Sequence, residues 1–387
     1  MVRDRVINDS FESMLVEAGC TLRKFKRKLI LVTGSVGKTS TKEMLAHVLR
    51  CSGLSVYHSS DSWNFTHEMC AQIVLNAQWA EFLVFEVTIG EHLPTVGRLL
   101  PPDILIFTHL GAVHTEQFPS LREIAQLKVS LAAHMDQQGI VIFNADVDDL
   151  RGAVSSVVSD PMCHARTASF GSARLGVADV VVRKGEGEGE GLVFVVDRRG
   201  GGPSFKILLA ESKSAHAGNV AAVFIATEYV GVLPSEIVRA LSSWSGVPAR
   251  FEEISIGSKT LVNDAYNANP VSMRAFLDEL DSYKTRGSRV CVIMGEMADL
   301  GDQTPEQHAA LAREAQGRFH SLILVGETFA RLGFDKEPWC TWFRSADEVR
   351  DNLSDILHDH DVLGIKGSYC TNLLSICLAL SEEPGAC

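Results

Sequence analysis

Three things are scarce in this chain of 387 residues. No apolar run approaches the ~18 residues of a bilayer span, and the charged start at Arg3, Asp4 and Arg5 holds no apolar secretion segment. Membrane insertion is therefore not expected, and the cytoplasm is. Positive charge is short as well. Lys and Arg number 36 against 48 Asp and Glu, which leaves a net charge of −12. Such a balance argues against a protein that coats nucleic acid. It leaves small anions open, because a nucleotide site needs only local positive potential. Paired cysteines are the third absence. Nine cysteines are scattered with no Cys-x-x-Cys, so neither a disulfide framework nor a zinc knuckle is indicated, and a reducing compartment fits. Apolar material is not short. A hydrophobic content of 46% supports a packed core, and the length allows roughly two or three domains.

The most informative stretch is Leu29-Ile30-Leu31-Val32-Thr33-Gly34-Ser35-Val36-Gly37-Lys38-Thr39-Ser40. Four apolar residues lead into a Gly-rich turn. Met44, Leu45, Val48 and Leu49 then repeat at helical spacing, which predicts a helix over 41–50 with one apolar face. Strand, Gly-rich loop and helix together form a polyphosphate cradle: helix N–H groups and the helix dipole favour anionic oxygens. Gly34, Ser35, Val36, Gly37, Lys38, Thr39 and Ser40 are the predicted ATP-binding residues here. Lys38 reaches the β- and γ-phosphates and a hydroxyl serves Mg²⁺. The spacing Gly34-x-x-Gly37-Lys38-Thr39 is shorter than the common phosphate-loop pattern, since Val32 stands where that pattern has its first Gly.

Around this stretch, buried strands at 82–87, 104–107 and 139–143 alternate with helical patterns such as 121–135. That alternation predicts a mostly parallel sheet covered by helices, whose ligands bind at the carboxyl ends of the strands. Residues 178–183, 192–197 and 205–209 read as an antiparallel excursion, and the Gly/Glu repeat at 184–191 as a hairpin loop. A helix is predicted over 216–231. Gly246 and Pro248 mark a boundary, after which strands at 259–262, 290–294, 322–325 and 362–365 alternate with helices at 272–283 and 304–316. The fold class is α/β: a P-loop domain over 29–249 follows a short segment 1–28 and precedes a smaller Rossmann-like domain over 250–387. Within the first segment, a helix is expected over 8–18. The basic run Arg23-Lys24-Phe25-Lys26-Arg27-Lys28 reads as a solvated lead-in, or as added positive potential beside the phosphate site.

Several clusters then line up with one family. The shortened phosphate loop, Asn64-Phe65-Thr66-His67-Glu68, the strand-ending Glu86 and the segment Thr108 to Phe118 with His114 resemble the Mur ligase family, most closely its D-alanyl-D-alanine-adding branch. Lys128 falls where that family has a carbamylated lysine. Asp264-Ala265-Tyr266-Asn267-Ala268-Asn269-Pro270, Gly295-Glu296-Met297 with His308, and Lys366-Gly367-Ser368 resemble its later signatures. The likeness runs over about residues 29–375.

The resemblance implies an ATP-dependent ligase that joins a carboxylate to an amine through an acyl phosphate. Lys38, Glu86, His114 and Lys128 would be its catalytic residues. Thr39 and Glu86 would hold one Mg²⁺, and His114 with Lys128 as a carbamate a second. Arg250, Asp264, Tyr266, Asn267 and Asn269 would add to the ATP site, with Asn144 and Asp146 as weaker nucleotide candidates, and Asn64, Glu68, Lys366 and Ser368 would meet the substrate. No nucleic acid or membrane partner is implied, and a homo-oligomer is allowed. The chain also departs from the family pattern. Only about 28 residues precede the first strand, too few for a folded UDP-sugar-gripping domain. Thr66-His67, Val129-Ser130, Ala249 and Tyr369 replace family residues. The expectation is therefore an amide ligase acting on a small metabolite or peptide in specialised metabolism. The alternatives are the cell-wall reaction with sugar binding supplied elsewhere, a regulatory ATP-binding protein that has lost the chemistry, and a folate-type ligase.

Overall fold

The computed structural model describes residues 2–60, 66–90, 92–111, 120–172, 176–185, 192–209, 217–285 and 287–382. They gather into two compact units, one of 2–111 with 120–245 and one of 246–382.

The first unit runs α1 (Val2–Phe25), β1 (Lys28–Thr33), α2 (Lys38–Cys51), β2 (Val56–His58), α3 (Thr66–Asn76), β3 (Phe82–Glu86), α4 (Leu93–Leu99), β4 (Ile104–Phe107) and α5 (Leu121–Val129). It continues with β5 (Ile140–Asn144), α6 (Asp148–Val158), β6 (Arg166–Gly171), β7 (Val180–Lys184), β8 (Leu192–Arg198), β9 (Phe205–Leu209), α7 (Ala217–Tyr229) and α8 (Pro234–Ser242). Nine strands form one sheet in the order β2-β3-β1-β4-β5-β6-β7-β8-β9. β2 through β7 pair in parallel, and β8 and β9 extend the edge antiparallel. The antiparallel excursion is thus the edge of the main sheet. Every residue of β3 and β4 is buried, as expected of parallel strands covered on both faces. Met44, Leu45, Val48 and Leu49 of α2 are fully buried.

One sequence expectation changes here, and one of the two readings of the basic run drops out. α1 is longer than the predicted helix, because Leu15, Ala18 and Leu22 extend one buried face to its last turn. The basic run lies at the amino end of β1, opposite the phosphate loop. There Arg27 Nε donates to the Ala77 carbonyl at 2.7 Å and Lys28 pairs with Asp103 at 2.7 Å. A cavity of about 430 Å³ opens at that same end beside Arg23, Lys26 and His134, so this charge does not bear on phosphate. The sequence reading also passed over β6, whose first residues Arg166 and Thr167 are exposed. The Gly/Glu repeat from 186 to 191 lies outside the described residues.

The second unit runs β10 (Glu252–Ile256), β11 (Lys259–Asp264), α9 (Pro270–Thr285), β12 (Val290–Gly295), α10 (Thr304–Ala315), β13 (Ser321–Val325), α11 (Glu327–Arg331) and β14 (Thr341–Phe343). It ends with α12 (Ala346–Asp351), α13 (Leu353–His358), β15 (Val362–Lys366) and α14 (Leu374–Glu382). Its six strands lie in the order β10-β11-β15-β12-β13-β14, all parallel except β10. Alternate residues of β12 enter different cores. Val290, Val292 and Met294 pack with Phe276 and Leu280 of α9, whereas Cys291 and Ile293 pack with Ile376 and Cys377 of α14. Period-2 burial on both faces is the mark of a sheet covered on each side.

Candidate active site

In the first unit, β1 ends at Thr33 and α2 begins at Lys38, so only four residues turn the chain. Gly34 has φ 149° and Gly37 φ 85°. A Cβ at Gly34 would stand 2.0 Å from Thr108 Oγ1, and one at Gly37 would stand 2.6 Å from Asn219 Oδ1. Both positions therefore demand glycine on steric and conformational grounds. The loop is tied to the end of β4. Ser35 N donates to the His109 carbonyl at 2.8 Å, Ser35 Oγ to the Gly111 carbonyl at 2.9 Å, and Thr108 Oγ1 to the Val36 carbonyl at 2.7 Å. The N-cap residue of α2 is Gly37, which has no side chain to cap it, and the first turn holds no acid. Its leading N–H groups thus form a positive end suited to an anion. Lys38 Nζ folds back to the Gly34 carbonyl at 3.1 Å. Thr39 and Ser40 are nearly buried.

Glu86 closes β3 in register with Val32 of β1, which places it beside the loop. Its side chain is 1% exposed, and its Oε1 is buried with no hydrogen-bond partner among the described residues. Lys42 Nζ lies 3.4 Å from that oxygen, close enough for an ion pair. Lys128, in the last turn of α5, is also buried, and its Nζ donates to Thr33 Oγ1 at 3.1 Å. Among the described residues no carboxylate pairs with it. Burial first, and then the positive charge of Lys38, hold the Lys128 ammonium well below the usual lysine value. Glu68 lies in the first turn of α3, with Oε2 buried and unpartnered among the described residues. Asn64 and His114 lie outside the described residues.

In the second unit, Asp264 and Lys366 close adjacent parallel strands in register. Lys366 is 2% exposed, and its Nζ donates to Asp264 Oδ2 at 2.7 Å and to the Asn267 carbonyl at 2.8 Å. Burial lowers its pKa, although Asp264 pulls the other way. Asp264 Oδ1 accepts from Phe251 N at 3.2 Å. Asn269 Oδ1 accepts from Ser272 N at 2.9 Å, while Asn269 N donates to Ser272 Oγ at 3.0 Å. That exchange is a capping box ahead of α9. Ser368 is buried, with Oγ accepting from Ala298 N at 2.9 Å. Asn269, Lys366 and Ser368, expected from sequence to meet nucleotide or substrate, each take part in bonds within this unit. Tyr266 keeps partial exposure, with the Arg250 guanidinium 4.2 Å from its ring centroid and the Tyr369 ring at 6.5 Å. Asn267 is exposed, its Oδ1 accepting from Ala268 N at 2.8 Å. Arg250 sits between Ala249 and Phe251, both at positive φ of 55° and 56°.

Comparison with known proteins fits this arrangement. The Mur ligase middle domain matches residues 32–199, and the Mur ligase glutamate ligase domain matches residues 249–369. The chain belongs to the Mur ligase family. The UDP-N-acetylmuramoyl-tripeptide–D-alanyl-D-alanine ligase of Rickettsia prowazekii is 24% identical over 373 residues, covering 95% of this chain and 81% of that protein. Its Bacillus subtilis counterpart is 25% identical over 300 residues, 77% of this chain and 62% of that protein. The MurF ligase of Thermotoga maritima, solved in complex with ADP, superposes with a TM-score of 0.82 at 21% identity over 97% of this chain and 84% of that one.

One residue of this Mur ligase escaped the sequence reading. Lys42 stands one turn beyond Lys38, and a lysine in a helix reads as solvated. Its side chain is wholly buried between Glu43 and Glu86. The available signal was its place on the helix face shared by Leu45, Ala46 and Leu49, all buried. No helix among the described residues is long and apolar enough to cross a membrane, and every described cysteine is a free thiol.

Proposed function

We propose that this Mur ligase is an ATP-dependent amide-forming enzyme that works through an acyl phosphate. The observation that carries the reading is what gathers around the carboxyl end of β1. A helix start with glycine at its N-cap, Lys38, a buried Glu86 whose Oε1 is unpartnered among the described residues, and a buried Lys128 with no carboxylate partner among them all belong to the strands and helices that meet there. The loop N–H groups and Lys38 hold the β- and γ-phosphates. A substrate carboxylate oxygen attacks the γ-phosphorus, the bond to the β-bridging oxygen breaks, and ADP leaves. The amine then attacks the acyl carbon, gives up a proton, and phosphate departs to leave the amide. ADP in the Thermotoga maritima relative supports the nucleotide assignment.

The residues suit Mg²⁺, a hard cation that takes oxygen ligands, because Glu86 Oε1 is buried and accepts no hydrogen bond from the described residues. Thr39 and Glu86 would hold one ion, with His114 and carbamylated Lys128 at a second. Bound Mg²⁺ supplies neutralisation of the phosphate oxygens. Carbamylation suits Lys128 on chemical grounds. A neutral amine adds CO₂ and loses a proton, and the resulting anion answers the nearby charge of Lys38. On the second unit, Arg250 and Tyr266 are our candidates for the nucleotide. Asp264, Asn267 and Asn269 shape the loop that carries Tyr266.

For the acid we favour a peptide or small metabolite other than the UDP-muramoyl tripeptide. Support comes from the residues that replace family ones at Thr66-His67, Val129-Ser130 and Tyr369. The names of the relatives favour the second reading, addition of D-alanyl-D-alanine to that tripeptide. The deciding experiment is phosphate release with ATP and Mg²⁺ across acids and amines, with product mass as readout. Robust turnover of the tripeptide with D-alanyl-D-alanine establishes the second reading. ADP formation with no amine ever incorporated overturns ligation altogether.

A further inference from the structure

Lys42 is held by groups of its own. Its Nζ donates to the Ser59 carbonyl at 2.5 Å and lies 3.1 Å from Glu43 Oε1. Glu43 in turn faces His58 Nδ1 at 3.3 Å. The distance to Glu86 Oε1 is 3.4 Å, and that contact lacks hydrogen-bond geometry. A carboxylate that is 1% exposed needs a compensating charge nearby. Lys42 supplies it while leaving the lone pairs of Oε1 unspent. Glu43 balances the ammonium, so an arriving cation meets an acceptor that is held in place, with little net repulsion from the Lys42–Glu43 pair.

We propose that Lys42 is a positioning residue for divalent-cation binding: it fixes the buried Glu86 carboxylate and keeps Oε1 open to a metal ion. This rests on the reading of Glu86 as a metal ligand, and the test separates the two. Mn²⁺ binding to the full chain with a non-hydrolysable ATP analogue is measured by calorimetry and by the electron paramagnetic resonance of free Mn²⁺. The variants are Glu86→Gln, Lys42→Met, Lys42→Gln and the double Lys42→Gln/Glu86→Gln. Lys42→Gln keeps a donor for the Ser59 carbonyl and so guards against a failure to fold, which thermal melting monitors. Removing a group that orients a ligand typically costs about 10–100-fold in metal affinity. We expect a loss of about tenfold or more in Lys42→Gln, and in Lys42→Met where it folds. Nucleotide affinity without metal is expected to hold. The double variant is expected to bind no more weakly than Glu86→Gln alone, since one residue acts through the other. If Glu86→Gln weakens Mn²⁺ and Lys42→Gln does not, or if the two losses simply add, Lys42 is only a structural ion and the inference falls. Tighter Mn²⁺ binding in Lys42→Gln makes Lys42 a competitor for Oε1, which also overturns it. Unchanged Mn²⁺ binding in Glu86→Gln removes the metal reading itself.

Discussion

Replacing Lys128 with methionine should cut ligation about 100-fold or more and yet leave the fold as stable or more stable. The Lys128 amine is buried, donates one hydrogen bond to Thr33 Oγ1, and has no carboxylate partner among the described residues. Its pKa is pushed well below the usual value by burial and then by Lys38. The unfolded chain titrates this lysine near 10.4. Between the folded and unfolded values, the unfolded state holds one more proton. Stability therefore rises with pH through that window, by about 1.4 kcal/mol per pH unit. It stops rising above about pH 10.4. Methionine removes this slope. It forfeits one hydrogen bond worth about 1 kcal/mol, which a single unit of pKa depression already outweighs. The assay is urea unfolding from pH 7 to 10 in CO₂-free buffer. Lys366 contributes a slope of its own through its lowered pKa, so the quantity that matters is wild type minus variant. Parallel curves for the two proteins refute the reasoning. Activity should fall about 100-fold or more, the scale of losing one electrostatic stabiliser. Short carboxylic acids should restore part of it in Lys128→Ala, which leaves room for them, and not in Lys128→Met.

Other expectations follow from single contacts. Asn269→Ala removes the cap ahead of α9 and should cost about 1 kcal/mol, read as a lower Tm of the second unit. Ala249 sits at φ 55°, so Ala249→Gly should change stability by no more than about 1 kcal/mol, whereas the β-branched Ala249→Val should lose about 2 kcal/mol or more by urea titration. His308 is buried, accepts from Met297 N at Nε2 and faces the Thr304 carbonyl at Nδ1. Burial lowers its pKa, against the pull of that carbonyl and of Glu296. Stability should thus decline as pH falls below about 6.5, and His308→Gln should flatten that decline in melts from pH 7 to 5.

Much of the fold could be read from hydrophobic runs. β1, β3, β4 and β12 are apolar because the sheets bury them on both faces, and such runs are visible in one dimension. Elements with mixed surfaces escaped. β10 exposes alternate residues at the sheet edge, and β14 has only three residues. Site residues divided in the same way. The phosphate loop could be read because backbone geometry forces its glycines. The internal bonds of Asn269, Lys366 and Ser368 could not be read, because polar residues in a signature look like ligand contacts and only coordinates show what else they hold. Asn269-Pro270-Val271-Ser272 does carry a capping pattern, with Pro at the first helical position and Ser two residues further on. That local signal was the stronger one.

The three buried lysines among the described residues show why burial alone does not mark a catalytic group. Lys366 has Asp264 at 2.7 Å, so its charge is answered and it stiffens the loop that carries Tyr266. Lys42 has two carboxylates within 3.4 Å and is answered twice. Among the described residues, Lys128 has only the neutral Thr33 hydroxyl. Keeping an ammonium there would cost several kcal/mol, and selection for stability alone would favour a methionine or leucine of similar volume. The carbamate proposed above would account for a lysine at such a position: a neutral amine adds CO₂, loses a proton and becomes an anion beside Lys38. The same absence of a counter-ion among the described residues that makes Lys128 costly for folding is what makes it the residue on which we expect ligation to depend.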